Sequence, residues 1–315
     1  MAALSFERVT KRDGQTVAVN DLSFAVERGE MFGLIGPDGA GKTTTIRLLC
    51  GLLHADAGAV RVLERDPVGE HRAITATVGY LSQRFSLYGD LSIDENVAFF
   101  AEIHGVSDYH GRRDRLLEMT QLTPFRKRLA DRLSGGMKQK LALACTLVHE
   151  PDVILLDEPT TGVDPVSRRE FWKLLSQFLA EGITILMSTP YLDEAERCTR
   201  VALLHEGRLL ALDRPGALRA ATSGTLFEVI APDPRAAVQA LSGQAGLRDP
   251  QLFGDRLHVW LDERDSAIAS RQMADAIARA GLSAASVRTI APSLEDVFIA
   301  KLAEAAGAGV TGQPS

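Results

Sequence analysis

The sequence predicts an α/β protein with a largely parallel central sheet, and three stretches carry that prediction. "VILLD" at 153–157 and "ITILMST" at 183–189 are continuous apolar runs, the pattern of strands covered on both faces. Between them, "SRREFWKLLSQFLAEG" has the length and spacing of an amphipathic helix, so the three read as a βαβ unit. Upstream, "MFGLIG" is a short apolar strand that passes through a glycine-rich turn into the helical run "TTTIRLLCGLL".

The remaining elements follow in order. The first thirty residues alternate short β-like runs, "LSFERVT" and "LSFAVE", with glycine-containing turns, which predicts antiparallel strands. Residues 79–83, "GYLSQ", form another short strand. Ser92 and Glu95 then make a capping box ahead of "VAFFAEIHG", and "RRDRLLEMTQL" continues the helical pattern. A helical subdomain over about 84–150 is therefore expected. "VALLHEGRLLAL" reads as a hairpin turning at Glu206 and Gly207. Composition shifts near Ala221 to Gly224, which sets a boundary between a main domain, 3–222, and a small C-terminal α/β domain, 223–305. In that second domain "LFEVIA", "RLHVWLD" and "SVRTIA" are strands, and "PRAAVQAL", "SAIASRQMADAIARAG" and "SLEDVFIAKLAEA" are helices. A disordered tail is expected over 306–315.

Composition excludes several classes. Hydrophobic residues make up 45% and charged residues 24% of the 315, ordinary for a globular protein. The net charge of −6, with no long basic run, argues against nucleic acid as a partner. Cys50, Cys145 and Cys198 are scattered without C-x-x-C spacing, which predicts reduced core cysteines. Residues 1–13 lack the apolar stretch of a signal peptide, and no window holds 18 uninterrupted apolar residues. Any membrane work is thus expected to fall to a partner.

"GPDGAGKTT" carries the clearest chemistry: Gly36, Pro37, Asp38, Gly39, Ala40, Gly41, Lys42, Thr43 and Thr44 fit G-x-x-x-x-G-K-[ST] between a strand and a helix. Glycines let successive N–H groups curl around an anion without Cβ clashes. Lys42 is expected on the β- and γ-phosphates of ATP, Thr43 on Mg²⁺, and the helix N-terminus adds a favourable dipole. Asp157 and Glu158 close a buried-type strand, where Asp157 can hold Mg²⁺ and Glu158 can polarise the attacking water. In "LSGGMKQKLALACTLV", Ser134 caps a helix whose apolar positions Leu141, Ala144, Cys145 and Val148 follow helical spacing. Gly135 and Gly136 leave first-turn N–H groups open to a phosphate, which makes sense if that start serves another subunit's nucleotide.

Together these elements resemble the ATPase subunit of ABC transporters over roughly residues 3–220, which implies a P-loop NTPase fold of the ABC ATPase type. "LSGGMKQ" is similar to the family signature, so Ser134, Gly135, Gly136 and Gln139 are expected at the partner's ATP. Gln83 resembles the Q-loop glutamine that approaches Mg²⁺ and links nucleotide to the membrane contact. Asp164, in "TTGVDP", resembles the D-loop aspartate that communicates across the dimer. The resemblance implies a head-to-tail ATPase pair, homo- or heterodimeric, with polytopic permease subunits at the cytoplasmic face of the inner membrane. "STPYLDEAE" and "PSLEDVFIAKL" further resemble exporter ATPases of the drug-efflux type-2 group, of which this chain would be a free-standing half.

Two positions depart from that pattern. Pro190 stands where the family's switch histidine would contact the γ-phosphate, and proline has neither an N–H nor an ionisable side chain. Asp13 stands where most relatives place the aromatic that stacks on adenine; Phe6 is a possible substitute, but its alternation with Leu4 points to the core. An asymmetric pair is therefore expected, in which this chain's own site is degenerate while its signature helix serves a second ATPase. A nucleotide-binding regulatory subunit with little catalysis, and a soluble non-transport ABC ATPase, share the same motifs.

Overall fold

β1 (Ala2–Asp13) and β2 (Thr16–Glu27) form the antiparallel hairpin expected of the N-terminal pattern, with Asp13 opposite Thr16 at its turn. After β3 (Met31–Ile35) and α1 (Lys42–Leu49), β4 (Ala57–Val62) pairs with β1 and completes a three-stranded sheet. Phe6, Phe24 and Phe32 stack at 4.7 and 5.4 Å beneath it, so Phe6 belongs to the core. The computed structural model describes residues 1–83, 87–248, 250–263, 265–282 and 286–310.

The first unit, Met1–Arg214, continues with α2 (His71–Thr77), β5 (Val78–Leu81), α3 (Ile93–Ile103), α4 (His110–Met119) and α5 (Gly135–Leu147). Ser92 and Glu95 make the expected capping box on α3. Then come β6 (Val153–Asp157), α6 (Pro165–Ala180), β7 (Thr184–Thr189), α7 (Leu192–Ala195), β8 (Arg200–His205) and β9 (Arg208–Asp213). Six strands form one sheet in the order β5-β6-β7-β3-β8-β9, parallel except for the β8–β9 hairpin. Every residue of β3, β6 and β7 is buried, as continuous apolar runs require of strands covered on both faces.

The second unit, Pro215–Ser315, begins earlier than the expected residue 223. α8 (Pro215–Ala221) packs against α11 (Leu294–Val310), and the composition shift near Ala221 coincides with the end of α8. Between them lie β10 (Thr225–Ile230), α9 (Pro234–Leu241), β11 (Gln251–Phe253), β12 (Arg256–Leu261), α10 (Ser266–Arg279) and β13 (Ser286–Thr289). The antiparallel order β11-β12-β10-β13 is a split βαβ arrangement. α11 runs on to Val310, into the segment expected to be a tail, although Gly307 and Gly309 disfavour a helix there. Residues 311–315 lie outside the described residues.

Candidate functional site

Topology brings the motifs together. β7 lies between β3 and β6, all three parallel, so their carboxyl ends share one edge of the sheet. Ile35 pairs with Thr189 and Asp157 with Ser188. The glycine-rich turn after β3, the acidic pair ending β6 and the hydroxyls ending β7 are therefore adjacent, at the place where ligands bind in open α/β sheets.

The turn has no room for side chains. A Cβ on Gly36 would lie 2.3 Å from Leu204 O, and one on Gly41 2.4 Å from Ala18 O. Gly41 is also the N-cap of α1 at φ 96°, with no side-chain cap and no acid in the first turn, so the first N–H groups of α1 stay free for an anion. Lys42 folds back, its Nζ donating to Gly36 O at 2.8 Å and Pro37 O at 3.1 Å. Asp13, Thr16, Ala18, Asp38, Gly39, Ala40, Gly41, Lys42, Thr43, Thr44, Gln83 and Glu158 line a single cleft of ≈ 530 Å³.

The acids are positioned from β7. Asp157, 1% exposed, accepts from Ser188 Oγ at 2.7 Å and from Thr43 Oγ1 at 3.1 Å on the same Oδ1. Glu158 sits at φ 49°, a left-handed conformation costly for a side-chain-bearing residue, and its N–H donates to Ser188 Oγ at 3.0 Å. Its carboxylate faces Lys42 Nζ at 3.2 Å and accepts from Gln83 Nε2 at 3.1 Å. Ser188 was not among the expected site residues; paired hydroxyls at the tip of a fully apolar strand were the available signal. The Thr43 hydroxyl and the Asp157 carboxylate are adjacent hard oxygen donors. That set fits Mg²⁺, which takes one or two protein ligands and completes its shell with phosphate and water. Among the described residues no three His, Cys, Asp or Glu side chains are grouped to hold a metal by themselves.

The "LSGGMKQ" stretch divides between two directions. Ser134 caps α5 through Met137 N, and Ser134 and Gly135 are exposed. Gly136 is buried, and a Cβ there would meet Ser167 Oγ at 2.2 Å. Gln139 is fully buried and donates its Nε2 to Pro159 O. It therefore grips its own chain's Glu158 loop. Asp164 caps α6 through Val166 N and Ser167 N and remains exposed, with its carboxyl held below the usual range by the bonds to Ser167. Pro190 follows the last residue of β7, so its missing N–H removes no ladder bond. Cys50, Cys145 and Cys198 are buried free thiols; burial pushes Cys50 and Cys198 up to about 12 and raises Cys145 as well.

A strand–glycine turn–helix with a lysine folded beneath it, beside a hydroxyl–carboxylate pair, defines a P-loop nucleotide-binding cassette. The ABC transporter family profile matches residues 19–161. The probable multidrug ABC transporter ATP-binding protein YbhF of Escherichia coli (strain K12) is 42% identical over 301 residues, covering 94% of this chain and 50% of that protein. The Nod factor export ATP-binding protein I of Burkholderia lata is 39% identical over 267 residues, covering 84% of this chain and 87% of that protein. A solved ATP-binding subunit of an ABC transporter superposes with a TM-score of 0.64 at 30% identity, covering 69% of this chain and 92% of that one. The chain belongs to the ATP-binding proteins of ABC transporters, and spans about half the length of the first of these relatives. Among the described residues no helix is long and apolar enough to cross a membrane.

Proposed function

We propose that this chain binds and hydrolyses ATP for an ABC export system, coupling nucleotide binding and hydrolysis to transport by separate polytopic permease subunits at the cytoplasmic face of the inner membrane. The convergence of Lys42, Thr43, Asp157, Glu158 and Gln83 in one cleft carries the reading. The glycine turn and Lys42 take the phosphates, Thr43 and Asp157 the Mg²⁺, and Glu158 orients water. Export is favoured by the relatives, one named for Nod factor export and the other for multidrug transport.

The chain's own site is the weaker of two. Pro190 supplies no donor at the tip of β7, and Asp13 offers a carboxylate where an aromatic would stack. The exposed Ser134 and Gly135, with Asp164, are free to complete the site of a second ATPase packed head to tail. Turnover of the purified chain tests this. Slow hydrolysis, abolished by Glu158→Gln and raised at least about tenfold by Pro190→His, is expected. Wild-type turnover equal to that of Pro190→His overturns the degenerate site, and turnover indifferent to Glu158→Gln overturns its role. A regulatory subunit is the second reading, favoured by the same two substitutions; ATP binding without turnover when all partners are present supports it. Failure to co-purify with a polytopic membrane protein supports a soluble, non-transport ATPase.

A further inference from the structure

The "STPYLDEAE" stretch contains a buried carboxylate to which the site described above gives no role. Glu194, on α7, is 1% exposed. Its Oε1 accepts from Thr160 Oγ1 at 2.6 Å and its Oε2 from Thr189 Oγ1 at 2.8 Å, while Arg168 Nε stands 3.5 Å from Oε1. Both threonines are themselves buried. Short hydroxyl-to-carboxylate bonds are among the stronger hydrogen bonds, and a carboxylate is kept out of water only with such partners.

The three partners come from three segments of the nucleotide site. Thr160 lies on the loop that carries Glu158. Thr189 follows Ser188, which receives the Glu158 N–H and donates to Asp157. Arg168 lies in the first turns of α6, its N–H bonded to the carbonyl of the Asp164 cap, and its guanidinium covers the Tyr191 ring at 4.7 Å. Gln139 holds the Glu158 loop from another side, through Pro159 O. Glu158 occupies a left-handed backbone conformation that persists only where the surroundings impose it.

We propose that Glu194 is a positioning residue for nucleotide turnover: it holds the Glu158 loop, the β7 tip and the N-terminus of α6 in one register. It touches no substrate, and acts through Thr160 and Thr189 on where the Glu158 carboxylate points. The turnover part of this inference rests on the hydrolytic reading above; the structural part does not.

The full-length chain carrying Glu194→Ala or Glu194→Gln tests it in two ways. Hydrogen exchange over 158–168 is expected to rise several-fold in Glu194→Ala while β3 and α1 keep wild-type protection. Glu194→Gln, which retains a carbonyl acceptor for Thr160, is expected to restore slow exchange. In the Pro190→His background, Glu194→Ala is expected to lower kcat by roughly 10- to 100-fold with KM little changed, as for a misplaced catalytic group. Unchanged exchange over 158–168, or an equal rise across β3 and α1, overturns the proposal. So does a kcat that does not move in a background that hydrolyses ATP. A Pro190→His chain without turnover counts against the hydrolytic reading alone, because the exchange result still decides the role of Glu194. Should Glu194→Ala fail to fold, Thr160→Val removes the same bond singly and is expected to loosen the same segment.

Discussion

Lys42 Nζ lies 3.2 Å from Glu158 Oε1, with the two side chains only 4% and 10% exposed. The cation proposed to take the phosphates is thus paired with the carboxylate proposed to orient water. A nucleotide entering the cleft must part them, and the affinity of the site includes that loss. Glu158→Gln keeps the shape and removes the charge, so ATP binding is expected to tighten by about 1 kcal/mol, roughly fivefold in Kd, even as hydrolysis stops. Equilibrium titration of the purified variant with ATP and Mg²⁺ measures this. Weaker binding than wild type would mean that the ion pair does not compete with nucleotide.

Asp13 closes the hairpin end of the same cleft, beside Thr16 and Ala18. Phe6 offers no substitute stacking surface, because it is stacked on Phe24 in the core. Replacing Asp13 by Tyr is expected to add stacking worth about 1–3 kcal/mol by analogy with single-strand binders, lowering the Kd for ATP roughly fivefold or more. An unchanged Kd would place the base away from the hairpin.

Local chemistry made much of this legible in the sequence, whereas contacts across the chain did not show there. Gly36 to Thr44 follow one another, so a short window contains the glycine-rich turn with Lys42 and Thr43, although not the acids those two side chains meet. The caps at Ser92 and Ser134 are equally local. Ser188 was missed because its partners, Asp157 and Glu158, stand on a neighbouring strand and only the parallel register aligns them. Glu194 lies in "DEAE", which reads as a solvated acidic helix start, yet tertiary packing buries it. Gln139 sits in a motif associated with the surface, while the helical turn points its side chain inward. β4, α2 and the three-residue β11 went unseen for a simpler reason: they are too short or too weakly patterned to show a period.

The two glycines at positive φ within the turn separate strain from steric exclusion. Gly39 has φ 80° with nothing within 4 Å of an added Cβ, whereas Gly41 has φ 96° and an added Cβ would sit 2.4 Å from Ala18 O. Gly39→Ala is expected to cost about 1 kcal/mol, the backbone penalty alone. Gly41→Ala adds a clash with backbone that cannot move aside, and is expected to lose more stability and nearly all nucleotide binding. Urea unfolding and nucleotide titration of both variants check the order; equal losses would mean that Ala18 is not the obstacle.

His149 gives the fold a pH dependence of defined sign. Its ring stacks on His104 at 3.8 Å between centroids, and its Nε2 lies 3.3 Å from Val78 O. Burial, and then the charges of His104 and Arg112, push its pKa from 6.5 down to about 4 against the pull of the Val78 carbonyl. Burial lowers His104 too. The unfolded chain therefore takes up a proton as pH falls through 6.5, while the folded chain declines it until about pH 4. Stability held above pH 6.5 is lost across that window, with no further contribution from this group below it. His149→Phe keeps a ring for the stack and removes the proton site. Its unfolding free energy is expected to fall less steeply than that of wild type from pH 6.5 to pH 4, carboxylate titration being common to both. Urea denaturation at fixed temperature across that range supplies the two slopes, and parallel slopes would assign the lost stability to other groups.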